Sequence, residues 1–165
     1  MPRLFTAIEV PKEIGMMLSS LRGGIHGARW ISPENYHLTL RFVGDVDERT
    51  ANEVAGMLDF VERPSFNLTL TGLDQFGGKK PRAIFASVHP SPALIELQAE
   101  HERMMQRIGL TPEGRRFTPH VTLARLRDAS VIEVADYLAT RGGFRMMSFQ
   151  VSRFVLLSSR ASQGG

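Results

Sequence analysis

His37-Leu38-Thr39-Leu40 and His120-Val121-Thr122-Leu123 are two copies of one pattern, H-x-T-L, set 83 residues apart. In an extended chain, successive side chains point to opposite faces with period two. Each copy therefore predicts a strand with an imidazole and a hydroxyl on one face and two aliphatic side chains on the other. The aliphatic face suits a core. The polar face offers a proton-transfer group beside a hydroxyl. The contexts match as well: Trp30 and Pro33 precede the first copy, Phe117 and Pro119 the second, and an arginine follows each, Arg41 or Arg125.

The duplication extends upstream. Arg3-Leu4-Phe5-Thr6-Ala7-Ile8-Glu9-Val10-Pro11 resembles Arg82-Ala83-Ile84-Phe85-Ala86-Ser87-Val88-His89-Pro90. Each run is apolar, ends at a proline and precedes a helical pattern. The order strand, helix, H-x-T-L strand thus occurs twice, which predicts two similar lobes and not a solenoid. Strands are expected near 3–10, 28–31, 36–43, 66–70, 82–89, 119–125 and 144–157. Helices are expected near 12–22, 48–61, 92–108 and 130–140, opened by Pro11, by Asp45 or Asp47, and by Ser91-Pro92. The tail from Ser158 to Gly165 is expected to fray. This is an α+β pattern: a pseudo-symmetric bilobal domain over residues 1–165, with two antiparallel sheets and helices packed outside.

Composition narrows the field. The chain has 165 residues, 42% of them hydrophobic, which is ordinary for a globular protein able to bury a sizeable core. No apolar run has membrane length, no signal-peptide pattern opens the chain, and cysteine is absent. Disulfides and thiolate metal sites are excluded, and a cytoplasmic location is expected. Net charge is only +3, which argues against tight nonspecific binding to duplex nucleic acid. Arginine supplies 17 of the 20 basic residues, and guanidinium is the better bidentate phosphate ligand. Lys79, Lys80 and Arg82 follow Gln75-Phe76-Gly77-Gly78 and read as a loop between strands, either merely solvated or placed to touch a polynucleotide backbone.

Two H-x-T faces brought together make a site with two histidines and two threonines. That set suits in-line displacement at phosphorus. One histidine removes a proton, the other supplies one, and the hydroxyls hold phosphoryl oxygens. A zinc site is the first rival. No H-x-x-x-H or H-E-x-x-H spacing occurs and no third ligand is evident, so no metal is expected. His26, His89 and His101 are expected to be structural. The second rival is a noncatalytic RNA-binding module that uses arginines and aromatics in the same place.

The paired motifs, the early Phe5-Thr6-Ala7 strand and Pro119-His120-Val121-Thr122-Leu123-Ala124-Arg125 resemble the 2H phosphoesterase superfamily. The resemblance is strongest to its branch of bacterial and archaeal RNA 2′,3′-cyclic phosphodiesterases, also called 2′-5′ RNA ligases. Trp30-Ile31-Ser32-Pro33-Glu34-Asn35-Tyr36-His37 and Arg41-Phe42-Val43-Gly44 carry it too, and it runs from about residue 3 to 157. The resemblance implies a central cleft with one motif in each lobe. It implies hydrolysis of nucleoside or oligoribonucleotide 2′,3′-cyclic phosphates to 2′-phosphates, without metal or other cofactor, and 2′-5′ RNA ligation as the reverse reaction. His37 would donate a proton and His120 accept one. Thr39 and Thr122 would bind phosphoryl oxygens, and Arg125 would assist. The expected partners are RNA ends or nucleosides bearing a 2′,3′-cyclic phosphate, with no membrane and a monomeric chain. Strict alternation puts Arg125 opposite His120, so a bulge or a strand end is needed to turn it inward.

Overall fold

The computed structural model describes residues 3–144 and 146–159. Among them, eight strands alternate with four helices. The strands are β1 Arg3–Glu9, β2 Ala28–Trp30, β3 His37–Asp45, β4 Phe66–Phe76, β5 Ala83–Val88, β6 His120–Leu126, β7 Met147–Val151 and β8 Val155–Ser159. The helices are α1 Lys12–Ser19, α2 Glu48–Leu58, α3 Pro92–Arg107 and α4 Val131–Arg141.

Local chemistry sets the helix ends. Asp47, not Asp45, caps α2 by accepting the Thr50 N–H at 2.8 Å. Ser91 caps α3 ahead of Pro92, and Ser130 caps α4 by accepting the Glu133 N–H. Each such cap contributes about 1 kcal/mol. The helical patterns at 12–22 and 48–61 outrun α1 and α2, because both helices tighten at their ends. Leu21 N–H donates to the Leu18 carbonyl, and Val61 N–H donates to the Leu58 carbonyl, both i→i+3 bonds.

The strands form one antiparallel sheet in the order β7-β4-β5-β6-β3-β1-β8, with β2 also paired to β6. The two expected sheets are the two arms of this one. They meet where Leu38 of β3 bridges Val121 of β6. Each half of the chain gives a late strand to the other arm: β4 pairs with β5, and β8 pairs with β1. The exchange knits one buried apolar cluster from both halves, including Ile8, Leu38, Leu68, Leu94, Val121 and Leu123.

Two strand boundaries depart from expectation. β4 runs to Phe76 because its second half pairs with β5 past an irregularity between Leu70 and Gly72, where local β-propensity is weak. The expected strand over 144–157 is two strands. β7 pairs with β4 at one end of the sheet, and residues 152–154 carry the chain to the other end, where β8 pairs with β1. Ser158 and Ser159, expected in the tail, are therefore paired; residues 160–165 lie outside the described residues. Gly27 fixes β2 against β6. Its φ is +79°, and a Cβ there would collide with the Arg127 carbonyl.

Candidate active site

Both motif strands carry a bulge at the same place. On β3, Thr39 faces Ala7 and the next pair is Arg41 with Thr6, leaving Leu40 extra. On β6, Thr122 faces Phe85 and the next pair is Ala124 with Ile84, leaving Leu123 extra. An extra residue flips the parity of everything after it. The residue four places after each histidine, Arg41 or Ala124, turns inward and is 6% or 0% exposed. The residue five places after, Phe42 or Arg125, joins the histidine face and is exposed. Arg125 therefore shares the face of His120. Arg41, which also follows a motif in the sequence, is not the counterpart of Arg125 in the structure. Arg41 donates to the Glu102 carboxylate and to the Thr111 carbonyl, each at 2.6 Å, in the packed interior.

The two imidazoles are held alike. His37 Nδ1–H donates to the Asn35 carbonyl at 2.8 Å, and His120 Nδ1–H donates to the Thr118 carbonyl at 2.6 Å. A carbonyl only accepts, so Nδ1 carries a proton in both rings and Nε2 is the nitrogen left outside that bond. Each histidine is the first residue of its strand. The carbonyl two residues back, just outside the strand, lies within reach of the ring. That contact uses backbone atoms, which leave no side-chain signature in the sequence.

Aromatic rings fix the other side of each imidazole. Phe5 lies 5.0 Å from His37 in a tilted contact. Phe85 and Phe76 meet His120 edge-on at 5.3 and 4.9 Å, and stack on each other at 4.1 Å. The strand registers correct the upstream sequence comparison by one residue. Ala7 faces Thr39 as Phe85 faces Thr122, so Phe85 is the counterpart of Ala7, and Phe5 that of Ala83. Phe76, opposite Ala83, supplies from β4 the ring that Phe5 supplies in the other arm. Nothing near the motifs announces Phe76, because it arrives through the strand exchange.

The antiparallel register about the Leu38–Val121 bridge sets His37 toward Thr122 and Thr39 toward His120. Leu38 and Val121 point into the core, 1% and 0% exposed, so the four polar side chains share the opposite face. Burial is the chief cause holding both histidine pKa values below the ordinary 6.5. For His37, the positive charges of Arg125 and of protonated His120 depress it further, against the Asn35 hydrogen bond and Glu9. The two imidazoles and Arg125 are thus close enough for one charge to act on another. Arg125, together with either imidazole when it is protonated, attracts an anion.

The remaining histidines are elsewhere. His101 is fully buried on the helix side, with Nδ1 2.9 Å from Thr6 Oγ1 and its ring edge-on to Phe154. Burial pushes it down to about 4. His26 pairs with Glu133 at 3.1 Å, and His89 is exposed at a strand end. Among the described residues, no three His, Asp or Glu side chains converge as a metal-binding set. No helix among them is long and apolar enough to cross a membrane.

Known proteins resemble the chain along most of its length. A protein of Thermotoga maritima named RNA 2′,3′-cyclic phosphodiesterase is 36% identical over 134 residues, covering 76% of this chain and 70% of that protein. One of the same name from Aeropyrum pernix is 33% identical over 138 residues, covering 82% and 78%. The crystal structure of Escherichia coli LigT complexed with 3′-AMP matches with a TM-score of 0.79 and 28% identity, over 97% of this chain and 90% of that one. Residues 10–163 match the model of the 2′-5′ RNA ligase superfamily, so the duplicated H-x-T-L strands and the sheet that joins them belong to a member of that family.

Proposed function

We propose that this protein hydrolyses 2′,3′-cyclic phosphate ends of RNA, and nucleoside 2′,3′-cyclic phosphates, to 2′-phosphates by acid–base catalysis with His37 and His120. The observation that carries this reading is the matched pair of imidazoles. Each is tied through Nδ1 to a backbone carbonyl, which leaves Nε2 as its proton-transfer atom on a shared face. The relatives named RNA 2′,3′-cyclic phosphodiesterase support the substrate class.

Neutral His120 takes a proton from water as the water oxygen bonds to phosphorus. The bond from phosphorus to the 3′ oxygen breaks, and protonated His37 gives that oxygen its proton. Thr39 and Thr122 donate to the nonbridging oxygens, and Arg125 balances their charge. The assignment of His37 as acid and His120 as base follows the family resemblance. With a 5′-hydroxyl in place of water, His120 takes the hydroxyl proton as its oxygen bonds to phosphorus, His37 protonates the departing 3′ oxygen, and the product is a 2′-5′ diester. Run backwards, the same groups with roles exchanged cleave that linkage. Both histidines come from one chain, so the cleft is complete in a monomeric, bilobal domain.

Kinetics on a nucleoside 2′,3′-cyclic phosphate, with product identified by phosphorus NMR, test the reading. Turnover persists with chelator and gives the 2′-phosphate. His37→Ala and His120→Ala each cost about 10²–10⁴ in rate, and the double variant loses far less than the product of the two. Near-normal turnover in either single variant overturns the mechanism and leaves an RNA-binding module.

A further inference from the structure

Arg29 stands directly across from Arg125 in the β2–β6 pairing. Directly opposed residues of an antiparallel pair share a face. The flanking pairs agree: Ala28 with Leu126 and Trp30 with Ala124 lie in the apolar cluster that contains Val134 and Tyr137 of α4. Arg29 and Arg125 therefore both stand on the opposite side, the histidine face, and both are exposed. Like charges placed directly across a strand pair weaken it. A bound phosphate reverses the sign, because guanidinium forms strong charge-assisted hydrogen bonds to it.

The position is fixed, not frayed. β2 is held by the close approach of Gly27 to Arg127 and by the Ile31 N–H donating to the Leu123 carbonyl at 2.8 Å. Along β6, the arginine pair lies beyond Thr122, on the way out from the Leu38–Val121 bridge. Other basic groups come to the same end. Ala83 flanks Arg125 on the other edge of β6, at the close of the Gly77–Lys80 turn. The Arg82 guanidinium lies 5.8 Å from the centre of the Phe76 ring.

We infer that Arg29 is a specificity residue that holds a second phosphate of the substrate. A 2′,3′-cyclic end has no 3′ neighbour, so that phosphate is the diester on the 5′ side of the terminal nucleotide. Arg29 then favours oligoribonucleotide ends over mononucleotides. The inference rests on the activity proposed above.

The test compares a nucleoside 2′,3′-cyclic phosphate with a dinucleotide that carries one internal diester and the same cyclic end. In the unmodified protein, the dinucleotide has the higher kcat/KM. Arg29→Ala lowers kcat/KM on the dinucleotide about tenfold, mainly through KM, and changes the mononucleotide less than about twofold. The salt slope for the dinucleotide falls by about one. Arg29→Lys restores part of the preference. Arg29→Gln serves in place of the alanine variant if loss of the side-chain stem disturbs β2. An equal loss on both substrates, or an unchanged ratio between them, overturns the inference while the hydrolytic activity stands. No turnover of either substrate by the unmodified protein overturns the activity and the inference with it.

Discussion

Arg41→Ala separates the two arginines that follow the motifs. Arg41 is 6% exposed and makes an ion pair with Glu102 at 2.6 Å, a bond to the Thr111 carbonyl at 2.6 Å and another to the Phe42 carbonyl. Removing it strands a half-buried carboxylate and two carbonyls. Breaking a buried pair from one side costs about 3–5 kcal/mol. Glu102 is 19% exposed and keeps Gln106 and the Glu113 N–H, so the low end applies, about 3 kcal/mol. For a chain of this size, that lowers Tm by roughly 6–12 °C. Thermal and urea denaturation read the stability, and kcat/KM at a temperature where the variant is folded reads the activity. Arg41→Ala is expected to melt early and to retain activity, whereas Arg125→Ala melts normally and loses activity. Replacing both partners with apolar residues, Arg41→Met with Glu102→Leu, recovers much of the loss. If Arg41→Ala melts within about 2 °C of the unmodified protein and loses activity as Arg125→Ala does, then Arg41 is not the structural residue that the bulge makes it.

The pH profile follows from the burial of the histidine pair. Both titrate below 6.5 in the free protein, and the reaction needs one protonated and one neutral. The kcat/KM bell is therefore expected to peak below pH ~6.5, and the kcat bell to lie higher because bound phosphate favours protonation; a kcat/KM optimum above pH ~7.5 refutes this. Thr39→Ala and Thr122→Ala each cost about 1.5–3 kcal/mol in transition-state stabilisation, measured as kcat/KM, less than either histidine. His101 titrates at about 4 when folded and near 6.5 when unfolded. The unfolded chain thus binds the extra proton, and stability falls as pH drops below about 6.5, by up to about 3 kcal/mol near pH 4. Replacing His101 with an apolar residue of similar size should flatten that acid limb in urea titrations, and an unchanged limb would assign the loss to other groups.

The sequence alone determined what depends on local alternation. Two H-x-T-L strands put His37 with Thr39 and His120 with Thr122 on common faces, and Leu38, Leu40, Val121 and Leu123 in the core, because side-chain parity along a strand needs no knowledge of its neighbours. The helix start at Ser91 was legible for the same reason, since a cap is satisfied within three residues, while the start of α2 was narrowed only to Asp45 or Asp47. The tertiary structure decided whatever depends on register between strands. Parity alone sets Arg125 away from His120, and two bulges, visible only in the pairing of β1 with β3 and of β5 with β6, bring Arg125 back and send Arg41 inward. Phe76 reaches His120, and Arg29 reaches Arg125, across segments far apart in the chain. Those contacts come from hydrogen-bond ladders between distant strands, whose register is a property of the assembled sheet and leaves no periodic mark on either strand.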